Sequence, residues 1–345
     1  MQKFFSNFLI VIITFLVCFI ILEYAVRLTL PHYDPSGHVD FITNSDGIPV
    51  SKKKGIFRQT KNTGDYDVQV KINPLGLRES KAFNTSTSND LFVVGDSFSF
   101  GWGVEEENRF SNILDHLLPH ARVFNISIPT DFKGYHKLIS YAQKNGALIK
   151  RLIIGVTMEN DIHSYDPVNT LVDKKILPVV KIPTLASFKY LLRNNSALYF
   201  LITSVIHRNF TFKVVAQKLG LIVDNYDIVR TNNYDAQKIS ASVRQLHFIT
   251  KKIKTLLLII PSRGLWVGDR NNRRIAGRTH DSFVNEIKRL NIDYVDMRQI
   301  FEQSTNPMNF HFKYDGHWTK EAHEKAGTEL ARKIGLIENK ISNLK

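Results

Sequence analysis

Four short polar stretches carry the side chains of this sequence that could do nucleophilic chemistry. The first, "LFVVGDSFSFGWGV" (91–104), ends an apolar run in Gly95-Asp96-Ser97. The others are "NISIPTD" (125–131), "TMENDI" (157–162) and "DGHW" (315–318). A serine hydroxyl is a weak nucleophile until a base takes its proton, and histidine, with a pKa of about 6.5, is a suitable base. Together these residue types predict acyl chemistry carried by a serine.

Roles for individual residues follow from what that chemistry needs. Ser97 is the candidate nucleophile, His317 the candidate base and Asp315 the carboxylate that would orient the imidazole. In an extended loop, Asp315 and His317 would point to the same side, because they are two positions apart in the sequence. Attack on an ester creates an oxyanion that requires preorganised donors. The candidate donors are the Ser97 amide, a backbone amide near Thr130 and the carboxamide of Asn160.

Each stretch alone is also typical of an ordinary turn, and other residues compete for the same roles. Ser99 is an alternative nucleophile, and His311 or His323 could replace His317 as the base. Asp96 and Asp161 are interpreted as carboxylates that fix loops rather than as acid catalysts.

The elements that must position these residues form an alternation of strands and helices. Strands are predicted at Leu91–Val94, Arg122–Ile128, Arg151–Thr157, Thr255–Ile260 and Asp293–Asp296. Helices are predicted at 106–118, 134–146, 236–253, 279–290 and 319–334. This alternation, with continuous apolar strands, is typical of an α/β domain whose parallel sheet has helices on both faces. Ligands of such sheets lie at the carboxyl ends of the strands, where the polar stretches fall.

The organisation before and within this domain is less regular. Residues 1–30 contain the apolar run "FFSNFLIVIITFLVCFIIL" (4–22), long enough for one transmembrane helix, although a cleaved signal is the competing interpretation. Residues 31–90 are predicted to be an N-terminal extension with short strands, and 91–335 the main domain, followed by a tail at 336–345. A helical insertion at about 162–233 contains "ASFKYLLRNNSALYFLITSVI", which would either cover the domain or face a membrane or an acyl chain.

The composition of the chain limits the classes of molecule that it is expected to bind. The 345 residues carry a formal net charge of +14, which suits anionic partners. The basic residues are scattered and no nucleic-acid motif is present, so no nucleic-acid binding is predicted. The one cysteine, Cys18, lies in the apolar run, and the rest of the chain therefore has no disulfide and no cysteine metal site. Lys3 before the run favours a cytoplasmic N-terminus and an exported body, which places the predicted protein in the inner (plasma) membrane as a single-pass protein.

The order of the motifs resembles the SGNH (GDSL) hydrolase family. "VVGDSFSFGWGV" is similar to its first block, with Ser97 as nucleophile, and "NISIPTD" lies where its second block lies. "TMENDI" resembles the third block, with Asn160 as an oxyanion donor, and "DGHW" resembles the last, which carries the base and its partner. The resemblance covers roughly residues 88–335. It implies a flavodoxin-like fold and ester hydrolysis or acyl transfer with no metal and no cofactor.

Two departures from the family pattern refine this expectation. Thr130 stands where the second block usually has a glycine, so a backbone amide remains for the oxyanion. Only Gly316 separates Asp315 from His317, a spacing that resembles membrane-linked members that O-acetylate exported polysaccharides. The predicted substrate is therefore an O-acyl ester, acetyl by preference, on an exported glycan. A non-catalytic glycan-binding or assembly protein, and a lipase or thioesterase with a helical lid, remain as alternatives; the oligomeric state is left open.

Overall fold

The computed structural model describes residues 2–165, 185–222 and 234–342. Its strands are β1 (Phe41–Thr43), β2 (Pro49–Ser51), β3 (Gly55–Thr60), β4 (Asp67–Ile72), β5 (Leu91–Val94), β6 (Val123–Asn125), β7 (Arg151–Thr157), β8 (Lys254–Ile260) and β9 (Asp293–Asp296). Its helices are α1 (Gln2–Thr29), α2 (Ser97–Phe100), α3 (Phe110–Leu117), α4 (Phe132–Lys144), α5 (Leu185–Asn195), α6 (Ala197–Arg208), α7 (Phe210–Lys218), α8 (Ala236–Thr250), α9 (Arg270–Arg289), α10 (Met297–Phe301) and α11 (Lys320–Ser342).

A five-stranded parallel sheet with the order β6-β5-β7-β8-β9 is the centre of the α/β part of the chain. Numbered by appearance, this order is 2-1-3-4-5, that of flavodoxin-like folds. Leu91 of β5 lies opposite Val123 on one side and Arg151 on the other, so β5 and β7 flank the point where the strand order reverses. Ligands of such sheets bind at this point, just beyond the strand ends.

The sheet strands are buried on both faces because their sequences are continuous apolar runs. On one face, Val93 and Leu258 pack in a cluster with Phe110 of α3 and Leu330 of α11. On the other, the rings of Phe92 and Phe124 stack with their centroids 4.9 Å apart. The predicted α/β class, with helices on both faces of a parallel sheet, is confirmed.

Most element bounds agree with the predictions, and the differences have local causes. The strand predicted at Arg122–Ile128 is only Val123–Asn125. Beyond it the Asn125 side chain accepts from the Ser127 amide at 2.9 Å, while the amides of Ile126 and Ile128 still donate to the carbonyls of Val93 and Gly95. The helix predicted at 279–290 begins at Arg270, where Asp269 caps it by accepting from the Asn272 amide. The apolar insertion is two helices, α5 and α6, because Ser196 interrupts it and caps the second.

Two compact units make up the chain. One contains Met1–His38, Arg58–Asp67 and Leu177–Val223, and the other contains Val39–Phe57, Val68–Ile176 and Asp224–Lys345. The second unit holds the sheet and every residue discussed as a catalytic candidate. Residues 31–90, predicted as one extension, are divided between the units, and parts of the predicted insertion, 166–184 and 223–233, lie outside the described residues.

Helix α1 belongs to the first unit. Its segment Phe4–Thr29 is long and apolar enough to cross a membrane, and its most apolar stretch is not buried inside the unit. An α-helix of this kind spans a bilayer because its backbone hydrogen bonds are satisfied internally. The length and composition of α1 are those of a membrane anchor, and a signal sequence has them too. Helix α1 is therefore a candidate for either.

Candidate active site

Ser97 is the first residue of the four-residue helix α2, directly after β5. The strand ends at Val94, and Asp96 caps α2 by accepting from the Phe98 amide at 3.0 Å. Aspartate is a favoured cap because its carboxylate satisfies an amide that has no partner inside the helix. Gly101 ends α2 with a φ of 80°, a left-handed conformation that suits glycine. The strand and its cap thus present the Ser97 hydroxyl at the carboxyl edge of the sheet.

Ser97, His317 and Asp315 form one hydrogen-bonded chain. The Oγ of Ser97 lies 2.8 Å from Nε2 of His317, and Nδ1 of His317 hydrogen bonds to Oδ1 of Asp315. A carboxylate only accepts, so the proton of this second bond belongs to Nδ1. In the neutral imidazole, Nε2 is then the acceptor, and the Ser97 hydroxyl donates to it. This tautomer is the one that a general base for Ser97 requires.

The loop that carries Asp315 and His317 is a turn, and the prediction that it is extended was wrong. Residues 312–317 close on themselves: the Phe312 amide donates to the His317 carbonyl at 2.8 Å, and the Gly316 amide donates to the Phe312 carbonyl at 3.0 Å. Gly316 has a φ of 89°, a conformation that L side chains rarely adopt. The reversal at Gly316, rather than strand geometry, brings the two catalytic candidates to the same side.

Arg263, in the loop after β8, packs directly against Gly316. A Cβ built on Gly316 would lie 2.1 Å from a terminal nitrogen of Arg263. Glu159 holds this guanidinium in place, with an Oε2 to Nη2 distance of 3.2 Å and a further bond from the Arg263 amide at 2.8 Å. The turn that carries Asp315 and His317 therefore packs against an ion pair that links the loops after β7 and β8. The sequence analysis did not identify Arg263.

Asn160, predicted as an oxyanion donor, is tied to the base of the nucleophile loop. Its Nδ2 donates to Oδ2 of Asp96 at 2.7 Å, which leaves the second hydrogen of the same carboxamide for another acceptor. Thr157 also donates to this carboxylate, from Oγ1 to Oδ1 at 3.0 Å. Asp96 thus fixes both the start of α2 and the predicted oxyanion donor.

The other two predicted donors are backbone amides. Ser97 and Thr130 show no acceptor for their amides among the residues that the structure describes. Thr130 follows β6, the neighbour of β5, and its hydroxyl packs against Gly134 at the start of α4. Asp131 caps α4 by accepting from the Gly134 amide at 3.0 Å. An amide at the beginning of a helix is polarised towards an anion, which is what an oxyanion needs.

Burial separates the rival candidates from Ser97 and His317. Ser99 is fully buried, and its Oγ is packed between Gly95 and Gly155. His311 and His323 are buried as well, and burial lowers the pKa of each to about 3. His323 accepts from the Phe110 amide at 3.3 Å, a packing role. These side chains do not reach solvent in the structure, whereas Ser97 and His317 are partly exposed.

Asp161 is a second buried carboxylate behind the site. It accepts from the Tyr135 hydroxyl at 3.0 Å and from the Thr157 amide at 2.8 Å. Burial is the main cause that raises the pKa of Asp161 well above its usual value, and the nearby Asp96 adds to the shift. Burial also raises the pKa of Asp96, against the hydrogen bond from Asn160. The contacts of both aspartates are those expected of loop-fixing carboxylates.

Two further residues support the site: Arg78, which no motif marks, and Trp102, which lies in the first polar stretch. Arg78 is buried and donates to the carbonyl of Phe100, the last residue of α2, at 3.3 Å and to two carbonyls of the loop that follows, Gly101 at 2.7 Å and Val104 at 2.8 Å. Trp102, in that loop, stacks on the His317 imidazole with centroids 5.7 Å apart and planes 28° apart. From the sequence alone, Arg78 cannot be distinguished from the many exposed arginines of this basic chain.

The comparison with family models gives one match. Residues 229–343 match the model described as "SGNH hydrolase-like domain, acetyltransferase AlgX". These residues, about a third of the chain, are similar to an SGNH hydrolase-like domain. The matched segment contains Asp315 and His317, whereas Ser97 and Asn160 come before it in the chain. A search of curated protein sequences finds no match.

Solved structures with related folds have low similarity to this chain. An acetylxylan esterase from Geobacillus stearothermophilus is 13% identical, with 73% of this chain and 96% of that chain covered and a TM-score of 0.40. Est24, a carbohydrate acetylesterase from Sinorhizobium meliloti, is 10% identical, with 72% and 99% covered and a TM-score of 0.38. A lipolytic protein of the G-D-S-L family from Desulfitobacterium hafniense is 15% identical, with 71% and 99% covered and a TM-score of 0.37. At this level of similarity, these proteins assign no activity to the chain.

Proposed function

We propose that the SGNH hydrolase-like domain is a membrane-anchored serine esterase or acyltransferase that acts on O-acetyl esters of an exported glycan. The observation that carries the proposal is the hydrogen-bonded chain from Asp315 through His317 to Ser97, with 2.8 Å between Oγ and Nε2. The match to an acetyltransferase domain supports acetyl as the acyl group.

The proposed reaction has two steps. His317 takes the Ser97 proton as Oγ attacks the ester carbonyl, and Asp315 stabilises the imidazolium that results. The amides of Ser97 and Thr130 and the carboxamide of Asn160 hold the oxyanion. His317 then protonates the departing sugar oxygen, which leaves as a hydroxyl, and an acetyl-enzyme remains on Ser97. In the second step, His317 takes a proton from water or from a sugar hydroxyl, whose oxygen attacks the acetyl carbonyl, and then returns this proton to Oγ of Ser97 as the bond between Oγ and the acetyl group breaks.

The membrane part of the proposal rests on α1. Lys3 precedes the apolar segment, and the positive-inside rule then favours a cytoplasmic N-terminus with the sheet unit on the exported side. A reporter that is active only outside the cytoplasm, fused after Lys345, tests this topology. Activity of the same reporter when fused before Met1 instead would contradict it.

A fluorophosphonate probe tests the catalytic part directly, because such a probe reacts with activated serines. We expect the full-length protein to be labelled and Ser97→Ala to lose the label together with hydrolysis of a short acetyl ester. Ser99→Ala is the matched control, since it removes a hydroxyl two residues away that does not reach solvent. An unlabelled and inactive wild-type protein would favour the non-catalytic binding alternative. A rate that rises with acyl chain length would favour the lipase alternative instead.

The acceptor separates an esterase from a transferase. With an acetyl donor present, adding a deacetylated oligosaccharide should yield acetylated sugar if the acetyl-enzyme transfers its group. If the added oligosaccharide does not lower the amount of acetate released, the protein is a hydrolase.

A further inference from the structure

The first unit contains an apolar surface that its own packing does not cover. Phe212, Val215 and Leu219 lie three and four residues apart on and just after α7, so they share one side of this helix. Their side chains are 52%, 50% and 67% exposed. Phe210 at the start of the helix and Leu221 beyond it are also exposed, at 82% and 61%. We call the first three residues the α7 face. Contiguous exposed apolar residues of this kind usually mark an interaction surface.

The helical segment that contains the α7 face carries cations and no carboxylate of its own, although Asp67 of the same unit interacts with Arg208. Residues 185–222 contain no Asp or Glu, and their cationic side chains are Lys189, Arg193, Arg208, Lys213 and Lys218. Exposed Lys218 lies beside the α7 face on the helix. Apolar side chains bordered by lysine and arginine, with no acidic residue, are the pattern of helices that lie in the interface of a bilayer containing anionic lipid.

Direct bonds connect these helices to the end of the candidate membrane helix. Glu23, near the end of α1, accepts from the Ser196 hydroxyl at 2.7 Å and from the Ala197 and Leu198 amides at 2.9 and 3.1 Å. It therefore caps α6, the helix that leads into α7. Arg27 bonds to Glu23 at 2.8 Å and also to the carbonyl of Asn195. The polar end of α1, where the chain would leave the hydrocarbon, is thus fixed to the beginning of α6.

From this arrangement we propose that the α7 face docks on the surface of the bilayer that α1 spans, with the flanking cations on anionic headgroups. The inference rests on the membrane anchor of the proposed function but not on its chemistry. Ser196 and Glu23 hold α6 at the depth where α1 ends, and α7 follows after Asn209 alone. The Lys189 ammonium of α5 donates to the carbonyl of Leu221, just beyond α7, so the end of α7 lies beside α5, the helix that leads into α6. On the proposed docking, the apolar side chains of α7 enter the boundary between headgroups and acyl chains.

Site-directed fluorescence on the full-length protein in vesicles tests the docking. The single native cysteine, Cys18, is replaced by serine, and Phe212→Cys or Leu219→Cys is labelled with an environment-sensitive dye. Vesicles contain phosphatidylcholine and phosphatidylglycerol, with a spin-labelled lipid as quencher on the membrane side and iodide on the aqueous side. Leu117→Cys is the matched control, because Leu117 is an exposed leucine of the sheet unit. The native chain, labelled at Cys18 alone, reports on the anchor.

We expect the labels at 212 and 219 to be quenched by the spin-labelled lipid and protected from iodide, and the label at 117 to behave in the opposite way. In vesicles of phosphatidylcholine alone, the ratio of docked to undocked α7 should fall about fivefold for each cation that loses its anionic headgroup. Quenching by iodide at 212 and 219, or protection from both quenchers, would overturn the proposal, since the face would be in water or against protein. If the spin-labelled lipid quenches the label at Cys18 but not the labels at 212 and 219, only the docking is overturned. If it does not quench the label at Cys18 either, the membrane anchor is overturned as well.

Discussion

Replacing Gly316 by alanine should damage both the stability and the activity of this protein, for two separable reasons. The φ of 89° is unfavourable for a residue with a Cβ, by roughly 1–2 kcal/mol. The added Cβ would also lie 2.1 Å from a terminal nitrogen of Arg263, which must move and weaken its ion pair with Glu159. A partly buried pair of this kind contributes about 1 kcal/mol, so the total loss of unfolding free energy is about 2–3 kcal/mol.

The effect on catalysis should be larger than the effect on stability. Gly316 separates Asp315 from His317, and any relaxation of the turn changes the position of the imidazole relative to Ser97. A displacement of about 1 Å in a catalytic group lowers the rate about 100-fold. The assay is kcat/KM for a short acetyl ester, measured with the chemical denaturation of the same preparation. Gly335→Ala is the matched control, because a Cβ there meets nothing within 4 Å.

A double-mutant cycle separates the two causes. In an Arg263→Ala background, Gly316→Ala should lose only the backbone part, so the two substitutions should show a favourable coupling of about 1 kcal/mol. If Gly316→Ala lowers the unfolding free energy by the same amount with and without the Arg263 side chain, the predicted clash between the new Cβ and Arg263 is refuted. Wild-type activity and stability in Gly316→Ala would refute the whole account of the turn.

Three further predictions concern residues around the site. Trp102→Leu removes an aromatic face from the His317 imidazolium, a contact that contributes about 0.5–1 kcal/mol; kcat/KM for a short acetyl ester should fall two- to fivefold, while Trp102→Phe keeps most of it, and wild-type kcat/KM in Trp102→Leu would contradict this role. Gly155→Ala places a Cβ 2.0 Å from Oγ of Ser99 and should cost about 1–3 kcal/mol in a denaturation experiment; adding Ser99→Ala should restore most of the loss, and no restoration would locate the strain elsewhere. Because the folded-state pKa of Asp161 is raised, its protonated form stabilises the fold, and this stabilisation is lost as pH rises above about 4 towards the raised value. Asp161→Asn cannot ionise, so its unfolding free energy relative to wild type should increase between pH 5 and pH 8, and a constant difference would contradict the shift.

The sheet could be predicted because its strands are short apolar runs with turn residues between them. Leu91–Val94, Arg151–Thr157 and Asp293–Asp296 have the predicted bounds, since each run ends in a polar or glycine residue. The candidate site could be located for the same reason, as the polar stretches follow the strands directly. The contact between Ser97 and His317 joins residues 220 positions apart, and only the parallel topology made it expected.

The features that were not predicted depend on contacts between residues far apart in the sequence, and such contacts produce no pattern within a short stretch of sequence. The turn at Gly316 was predicted to be extended because Asp-Gly-His alone does not show that Arg263 packs against the glycine. Arg78 resembles any other arginine until the carbonyls after α2 surround it. The cap of Glu23 on α6 joins segments that are far apart in sequence, so no periodicity in either segment reveals it.

The long separation between Ser97 and His317 also sets the order in which a functional protein can be made. The proposed nucleophile, Ser97, is synthesised well before the proposed base, His317, which follows β8 and β9 in the chain. Until β9 has paired and α11 has packed against α3, Ser97 is an ordinary alcohol with the weak reactivity of any surface serine. On the proposed function, the unfinished chain is therefore inert towards esters, and its activity should begin only when folding of the sheet unit is complete.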